Sequence, residues 1–225
     1  MQNYEIIVEE NVLKNTLYYR DTAVLTYTIR YPRFVSNVFQ TFLEKLNIYY
    51  RVRALIYEQG HVQRLYAMAK EQFDYAMEND YPFHPYEVVT EYVITYNQNC
   101  FLSLYTDSYE YTGGAHGMTT RMSETWDLRK EQRTQLNEFF TVVNSKEMII
   151  QQILHQTQRE VQNGTFPYFE DYNSLVVENF NPENFYLSLE GIALYYGLYE
   201  IAPYASGIRT FLIPYTNESV IPPHC

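Results

Sequence analysis

The strongest constraint on the fold is the run Tyr111-Thr-Gly-Gly-Ala-His-Gly117, which holds three of the eight glycines of the chain. It follows an alternating, β-prone run, Phe101 to Tyr109, and precedes a second one, Thr119 to Leu128. Glycines clustered between two strands indicate a backbone that takes positive φ or approaches another group closely. The sequence therefore predicts a strand, an exposed loop that holds His116, and a return strand.

The N-terminal part of the chain predicts strands followed by one long helix. Tyr4 to Val8 and Thr22 to Tyr31 have the alternation and residue types of strands. From Val38 to Met77 the apolar residues follow helical spacing, with Ser36 or Asn37 as the expected N-cap. Gly60 lies inside this pattern and predicts a kink or break there.

The part of the chain after the long helix is predicted to contain short strands and a few helices. A helix capped by Asn144 or Ser145 is expected to extend to Val161, with short helices at Leu136–Phe140 and Tyr172–Val177. Further strands are predicted at Glu87–Tyr96, Asn184–Leu189, Ile192–Tyr196 and Arg209–Ile213. Strands segregated from a few helices indicate the α+β class.

The charge distribution limits the kinds of partner. The net charge is −11, and no Lys or Arg occurs from Glu71 to Thr120 or from Glu160 to Ile208. Such a surface argues against nucleic acid or an anionic membrane as a partner and suits a cationic one. Ordinary solubility is the simpler explanation and stays open. The 25 tyrosines are equally open, since tyrosine serves both as a half-buried strand residue and at interfaces.

The two cysteines predict a fold that does not depend on oxidation, and the N-terminus predicts a chain without an export signal. We expect Cys100 to be buried and Cys225 to lie in a mobile tail, without a disulfide framework. The first ten residues lack the basic and apolar regions of a signal peptide, and no apolar run reaches membrane-spanning length. The expectation is a soluble chain without an export signal.

A catalytic site is not expected. His116 with Asp107 or Glu110 could form a base and its orienting group, but no nucleophile stands in a recognised motif. The five histidines have no metal-ligand spacing, and the glycine run lacks the Lys-Ser/Thr ending of a phosphate-binding loop. The sequence therefore predicts no catalytic residue, no metal and no cofactor.

Several segments together resemble a known family. Tyr111–Gly117, the strand into Trp126-Asp127-Leu128, the segment Leu136–Phe140 and the late loop Tyr199–Gly207 are similar to those of the RsiV-like extracytoplasmic domains of Gram-positive bacteria. This resemblance implies an α+β fold in which a curved antiparallel sheet packs on one long N-terminal helix and one or two further helices. It also implies an N-terminal lobe (1–84) and an RsiV-like lobe (85–225) packed as one compact unit.

The resemblance also carries functional expectations. The best understood member is the outer part of a lysozyme-binding anti-sigma factor, and related domains, largely of unknown function, occur in peptidoglycan deacetylases. It implies a location in the cell envelope, whereas the missing signal peptide leaves a cytoplasmic location open. Because we recognise no sigma-binding segment and no transmembrane helix in the sequence, we do not expect it to act as a complete anti-sigma factor.

We therefore expect a non-catalytic binding domain that recognises a cationic, lysozyme-like protein or a cell-wall ligand such as a peptidoglycan fragment. The alternatives are an enzyme acting on cell-wall glycans through His116, and an intracellular adaptor. A purely structural role for both loops also stays open. The expected contact residues lie in these loops: Tyr111, Gly113, Gly114, His116 and Gly117 in the first, and Tyr199, Glu200, Pro203 and Tyr204 in the second.

Overall fold

The structure is a computed structural model that describes residues 6–142 and 144–225. It divides into two compact units. The first unit extends to Tyr92 and includes Thr106–Thr120, whereas the second contains Val93–Tyr105 and Arg121–Cys225. Of the predicted strand Tyr4–Val8, Tyr4 and Glu5 lie outside the described residues.

The strands form two sheets. A six-stranded sheet has the order β1 (Ile7–Tyr19), β2 (Thr22–Val35), β3 (Tyr86–Gln98), β4 (Phe101–Tyr111), β5 (Met118–Asp127) and β6 (Gln132–Arg133). A three-stranded antiparallel sheet contains β7 (Phe185–Leu187), β8 (Gly191–Tyr196) and β9 (Arg209–Pro214).

The predicted α+β class is confirmed, although one strand pair is parallel. β1 pairs with β2 in antiparallel orientation, but β2 and β3 run parallel. Two parallel strands need a crossover, and the long helix between β2 and β3 supplies it. The six-stranded sheet is therefore mixed rather than fully antiparallel.

The predicted long helix is present, with an irregularity at the expected place. It consists of α1 (Gln40–Tyr57), a π-helical turn (Glu58–Val62) and α2 (Gln63–Glu78). The predicted cap is wrong: the N-cap is Phe39, with φ 59°. Ser36 accepts a hydrogen bond from the N–H of Val38 (3.2 Å) and forms a local turn before the helix.

Two further α-helices and two 3₁₀ turns complete the fold. The helices are α3 (Ser145–Gln162) and α4 (Tyr172–Glu178), and the 3₁₀ turns are Leu136–Phe139 and Tyr204–Ser206. All four overlap segments for which the sequence predicts a helix or a loop.

Each unit has its own apolar core. In the first unit, β2, β3 and the long helix bury a continuous cluster: Val24, Leu25, Ile29, Ala54, Val62, Leu65, Ala69, Phe73, Tyr86 and Val88. In the second unit, α3 contributes Ile149 and Ile153 to a cluster that also contains Leu187, Ile192 and Phe211 of the three-stranded sheet. Burying such side chains is worth about 1.5–3 kcal/mol each, so each cluster is a main source of stability.

The C-terminus is anchored, which corrects two predictions. Cys225 forms a disulfide with Cys100, and the two Cα atoms are 5.2 Å apart. The N–H of Ile221 also donates to the carbonyl of Phe139 (2.8 Å). The predictions of a mobile tail and of a fold independent of oxidation are therefore wrong. The two cysteines are 125 residues apart, so local sequence patterns do not connect them.

Candidate functional site

The glycine loop, Tyr111–Gly117, connects β4 to β5 as predicted. Gly113 has φ +85°, a conformation that favours glycine. A Cβ on Gly117 would lie 2.4 Å from the ring of Tyr109 and 2.7 Å from the carbonyl oxygen of Glu110, so only glycine fits there. Gly114 and His116 are exposed, and the His116 Nδ1 is 3.2 Å from the Gly117 carbonyl oxygen. The loop is thus held by close backbone packing and presents its tip to solvent.

Glu110, directly before this loop, is the centre of a polar cluster that the sequence analysis did not predict. The hydroxyl of Tyr57 donates to its carboxylate (3.1 Å), His61 Nδ1 lies 2.9 Å away, and Arg64 donates at 3.3 Å. The rings of Tyr57 and His61 stack with centroids 4.4 Å apart. We call Glu110, Tyr57, His61 and Arg64 the Glu110 cluster.

Within the first unit, the other members of the Glu110 cluster already contact and balance the charge of this carboxylate. Burial raises the pKa of the Tyr57 hydroxyl, and the Glu110 carboxylate raises it further. Arg64 balances the negative charge of Glu110. The histidine His61 contacts this carboxylate through its Nδ1 atom. Within the described residues, no group of three or more His, Cys, Asp or Glu side chains is placed to hold a metal ion.

The second predicted loop, Tyr199–Gly207, is called the tyrosine loop. Tyr199 has φ 65° and is 46% exposed, and its ring centroid lies 5.9 Å from that of Tyr204. The Glu200 carboxylate accepts the N–H of Gly197 (2.7 Å) and so closes the turn before the loop. Pro203 is the N-cap of the 3₁₀ turn Tyr204–Ser206. Glu200 therefore supports the loop, Tyr199 is exposed, and Tyr204 is half-buried.

Hydrogen bonds fix the tyrosine loop against the acidic segment Pro167–Asn179, which contains α4. The Phe169 N–H donates to the Ile201 carbonyl (3.2 Å), and the Asn179 amide donates to the Glu200 carbonyl (2.7 Å). The Ser206 hydroxyl donates to the Pro167 carbonyl (2.7 Å). Sequence reasoning treated this segment and the loop separately, because these bonds join residues distant in the chain.

The acidic segment displays its carboxylates. Glu170, Asp171 and Glu178 are all exposed. Across residues 6–142 and 144–225, none of the three takes part in an ion pair. By contrast, Glu160 is bound by the buried Arg209 at 2.6 Å, and Glu183 by Arg133 at 3.0 Å.

The structure thus groups the predicted site residues into two separate sets. The glycine-loop residues belong to the first unit, and the tyrosine-loop residues belong to the second. Within the described part of the chain, no helix is both long and apolar enough to cross a membrane.

This fold is shared with structurally characterised proteins of the DUF3298 family. A DUF3298 protein from Bacteroides fragilis superposes with a TM-score of 0.75 at 19% identity, over 99% of this chain and 96% of that one. A DUF3298 protein from Pseudomonas aeruginosa gives a TM-score of 0.62 at 19% identity, over 96% and 95%. At 19% sequence identity, the structural similarity to these two proteins shows a shared fold alone.

Two family models match successive parts of the sequence. Residues 19–119 match the family described as Deacetylase PdaC, and residues 127–216 match the family described as a protein of unknown function, DUF3298. The chain has no significant match among curated proteins. It therefore carries a PdaC-like segment followed by a DUF3298-like segment. The finer resemblance to RsiV-like domains stays a prediction.

Proposed function

We propose that this chain is a non-catalytic binding domain of the RsiV-like kind, which recognises a cationic protein of the lysozyme class. The observation that carries the proposal is the attachment of the tyrosine loop to the acidic segment. It brings the loop that carries the exposed Tyr199 together with a segment that carries exposed carboxylates.

The chemistry of this surface matches a partner rich in Lys and Arg. Tyr199 and Tyr204 offer large contact areas at a small cost in side-chain entropy. Glu170, Asp171 and Glu178 are the nearby carboxylates that the protein itself leaves unpaired among its described residues. Such charges increase the association rate and select against anionic partners.

The disulfide supports a location outside the cytoplasm. Disulfides persist in oxidising compartments, whereas the cytosol keeps most thiols reduced. Cys100 and Cys225, the only two cysteines, are paired with each other. This pairing favours the binding role in the cell envelope over that of an intracellular adaptor.

Titration with a c-type lysozyme tests the proposal. Calorimetry at low and moderate salt compares the wild type with the triple variant Glu170→Gln/Asp171→Asn/Glu178→Gln. A matched triple, Glu71→Gln/Glu78→Gln/Asp80→Asn, removes the same charge from exposed positions of the first unit. We expect the first triple to weaken binding at least about tenfold and the matched triple by no more than about threefold.

Three outcomes are informative. Absence of binding at micromolar concentration in both salts would exclude a lysozyme-like partner. An equal loss in both triple variants would show that net charge alone attracts lysozyme. Binding of peptidoglycan fragments in the same assay, without lysozyme binding, would assign the domain to a cell-wall ligand.

One observation favours a second candidate, an activity on cell-wall glycans. The segment 19–119 that matches the Deacetylase PdaC description includes His116. Peptidoglycan fragments incubated with the wild type and with His116→Ala would be compared by mass spectrometry. Loss of acetyl groups with the wild type alone would support this candidate, and fragments unchanged by both proteins would exclude it.

A further inference from the structure

Strand β1 is the outermost strand of the six-stranded sheet, and β2 pairs with one side of it. The other side of such an edge strand presents backbone N–H and C=O groups without strand partners, so it can act as a template for another strand. Edges are usually blocked by proline, by bulges or by short length. β1 has 13 residues without proline, and its pairing with β2 is regular up to a shift between Leu17 and Tyr18. The stretch before this shift is therefore long and regular enough to accept a further strand.

Apolar side chains of α1 are exposed beside this edge. Ile48, Val52 and Ile56 recur at every fourth residue and so lie along one face of the helix, which we call the apolar stripe of α1. Ile48 and Ile56 are each 64% exposed, and Val52 is 46% exposed. Ile48 lines a groove of about 430 Å³ that is also lined by Asn11 and Leu13 of β1. The stripe therefore begins next to the edge strand, and both belong to the first unit.

Two opposite charges on β1 make this edge self-complementary. Glu10 and Lys14 are four residues apart and therefore lie on the same face of the strand, with Val12 midway between them. Within residues 6–142 and 144–225, Lys14 forms no ion pair. The Glu10 carboxylate lies 3.8 Å from Arg30, which also binds Glu91 at 3.2 Å. Lys14 can therefore pair with a carboxylate of another chain.

The charges also select one register for a pair of β1 strands. When two copies pair in antiparallel orientation about a two-fold axis, the position of the axis fixes every opposing pair. With the axis at Val12, Glu10 of each copy lies opposite Lys14 of the other, which gives two favourable charge pairs. An axis at Glu10 or Lys14 would place like charges opposite each other. An axis at Asn11 or Leu13 would leave both charges opposite uncharged residues.

We propose that this protein forms a homodimer in which the β1 strands of two copies pair in antiparallel orientation around Val12. A two-fold axis perpendicular to the sheet places both copies of α1 on the same face of the joined sheet. The apolar stripe of α1 in one copy then packs against the same stripe in the other. Backbone hydrogen bonds align the strands, and the stripes supply the apolar burial that a strand pair alone lacks.

Two surfaces on the same side of the first unit favour a second copy over an extended peptide of another protein. A peptide that adds one strand to the edge would leave the apolar stripe of α1 exposed, because it carries no helix. A second copy covers both surfaces at once. It also supplies one carboxylate, that of Glu10, to each Lys14.

Sedimentation equilibrium of the full chain over roughly 1–200 µM tests the proposal. We expect a species of twice the monomer mass of 26.9 kDa, with a Kd of roughly 10 µM. Lys14→Glu should weaken the dimer at least about tenfold, because it places carboxylates opposite each other in both charge pairs. The double variant Glu10→Lys/Lys14→Glu restores the opposite charges, so its Kd should return to within about threefold of the wild type.

Val12→Cys tests the register. Directly opposite Cα atoms of antiparallel strands are about 4.5–5.5 Å apart, which is within the range for a disulfide. This variant should therefore form a covalent dimer under mild oxidation, visible on a non-reducing gel, since Cys100 and Cys225 are already paired. Asn15→Cys is the matched exposed control. Its two copies would lie six residues apart along the strands, about 20 Å, and should not cross-link.

Val52→Asp tests the apolar stripe of α1. The charge would be buried between the two helices, so we expect dimerisation to weaken at least about tenfold. Val161→Asp is the matched control, because Val161 is similarly exposed (42%) on a helix of the second unit. This control should leave the Kd of the dimer unchanged.

Several results would overturn the proposal. A monomer at every concentration would do so and would leave the edge to an extended peptide. Equal cross-linking of Asn15→Cys and Val12→Cys would exclude the register, as would a double charge variant that stays as weak as Lys14→Glu. An unchanged dimer in Val52→Asp would exclude the helix contact. Thermal unfolding of each variant confirms that it remains folded.

This interface is independent of the proposed lysozyme-binding surface, which belongs to the second unit. Lys14→Glu leaves Tyr199 and the carboxylates of the acidic segment intact. Its lysozyme affinity per chain should therefore match that of the wild type. Loss of the dimer with retained lysozyme binding would separate the two surfaces.

Discussion

The glycine loop and the tyrosine loop both contain tyrosine and glycine, but different interactions hold them in place. Close packing of Gly117 against the Tyr109 ring and the Glu110 carbonyl oxygen fixes the glycine loop. Hydrogen bonds to the acidic segment fix the tyrosine loop. A substitution should therefore disturb the first loop through steric overlap and the second through loss of polar contacts.

The carboxylates beside the two loops differ even more. Beside the glycine loop, Glu110 is bound by Tyr57, His61 and Arg64. Beside the tyrosine loop, Glu170 and Asp171 are exposed and unpaired among the described residues. Acidic residues near a loop therefore indicate a cation-binding surface only when the protein has not already paired them.

Removal of the disulfide should have the largest effect, and it should act on the second unit. Cys100→Ser/Cys225→Ser opens a covalent loop between residues 125 apart, so we expect the free energy of unfolding to fall by about 3 kcal/mol. Fluorescence of Trp126, the single tryptophan, follows the second unit during chemical denaturation. An unchanged midpoint in the double variant would contradict the expected contribution.

Gly117→Ala should have the next largest effect. The added Cβ would overlap the Tyr109 ring and the Glu110 carbonyl, so we expect a loss of about 2 kcal/mol in the free energy of unfolding. Gly114→Ala is the matched control, because the nearest atom to its Cβ is 4.0 Å away. Circular dichroism during thermal unfolding gives both values. Equal destabilisation by the two substitutions would refute the close-packing explanation.

Tyr57→Phe tests the Glu110 cluster and should cost about 1.5 kcal/mol at neutral pH, because a hydrogen bond to a carboxylate is lost. The pKa of Tyr57 is raised above its ordinary value of 10 in the folded protein. Its stabilising contribution is therefore complete below pH 10 and is lost as the pH rises towards the folded pKa.

The measurement for this prediction is urea denaturation of both proteins from neutral to alkaline pH. The difference in unfolding free energy between wild type and Tyr57→Phe should shrink above pH 10. A difference that stays constant throughout would show that proton binding by Tyr57 is not linked to folding.

Tyr199→Ala should have the smallest effect on stability, within about 0.5 kcal/mol, because the side chain is 46% exposed. Its effect on lysozyme binding should be larger, roughly tenfold, since exposed tyrosines often dominate an interface. Tyr111→Ala in the glycine loop is the matched variant and should leave lysozyme affinity unchanged. The reverse pattern of affinities would transfer the binding surface to the glycine loop.

Local patterns predicted the helices well and the first strand, β1, poorly. Phe42, Leu46 and Leu65 belong to an apolar repeat with helical spacing. Because this repeat is visible over a few neighbouring residues, periodicity alone predicts the long helix. Only the start of β1 was predicted, because most of this edge strand is exposed or half-buried and lacks a clean alternation. Its turn uses Arg20 and Asp21 at positive φ instead of the usual Asn-Gly pair.

The site residues that were missed depend on contacts across the chain. Tyr57, His61 and Arg64 lie 53, 49 and 46 positions from Glu110. Sequence reasoning found Glu110 as a candidate orienting group for His116, but it did not find its partners. The disulfide was missed for the same reason, since only the folded chain brings Cys100 and Cys225 together.

The π-helical turn at Glu58–Val62 keeps two apolar stripes in phase. Each residue of an α-helix advances the side-chain direction by about 100°, and a π-turn accommodates one additional residue. Ala54 of α1 and Leu65 of α2, which lie on either side of this turn, are both buried in the same core. A deletion of the single residue Gly60 would convert the π-helical turn into a regular α-helical turn and leave α2 in its present orientation. This position should therefore tolerate the loss of one residue, which would rotate a regular α-helix by about 100°.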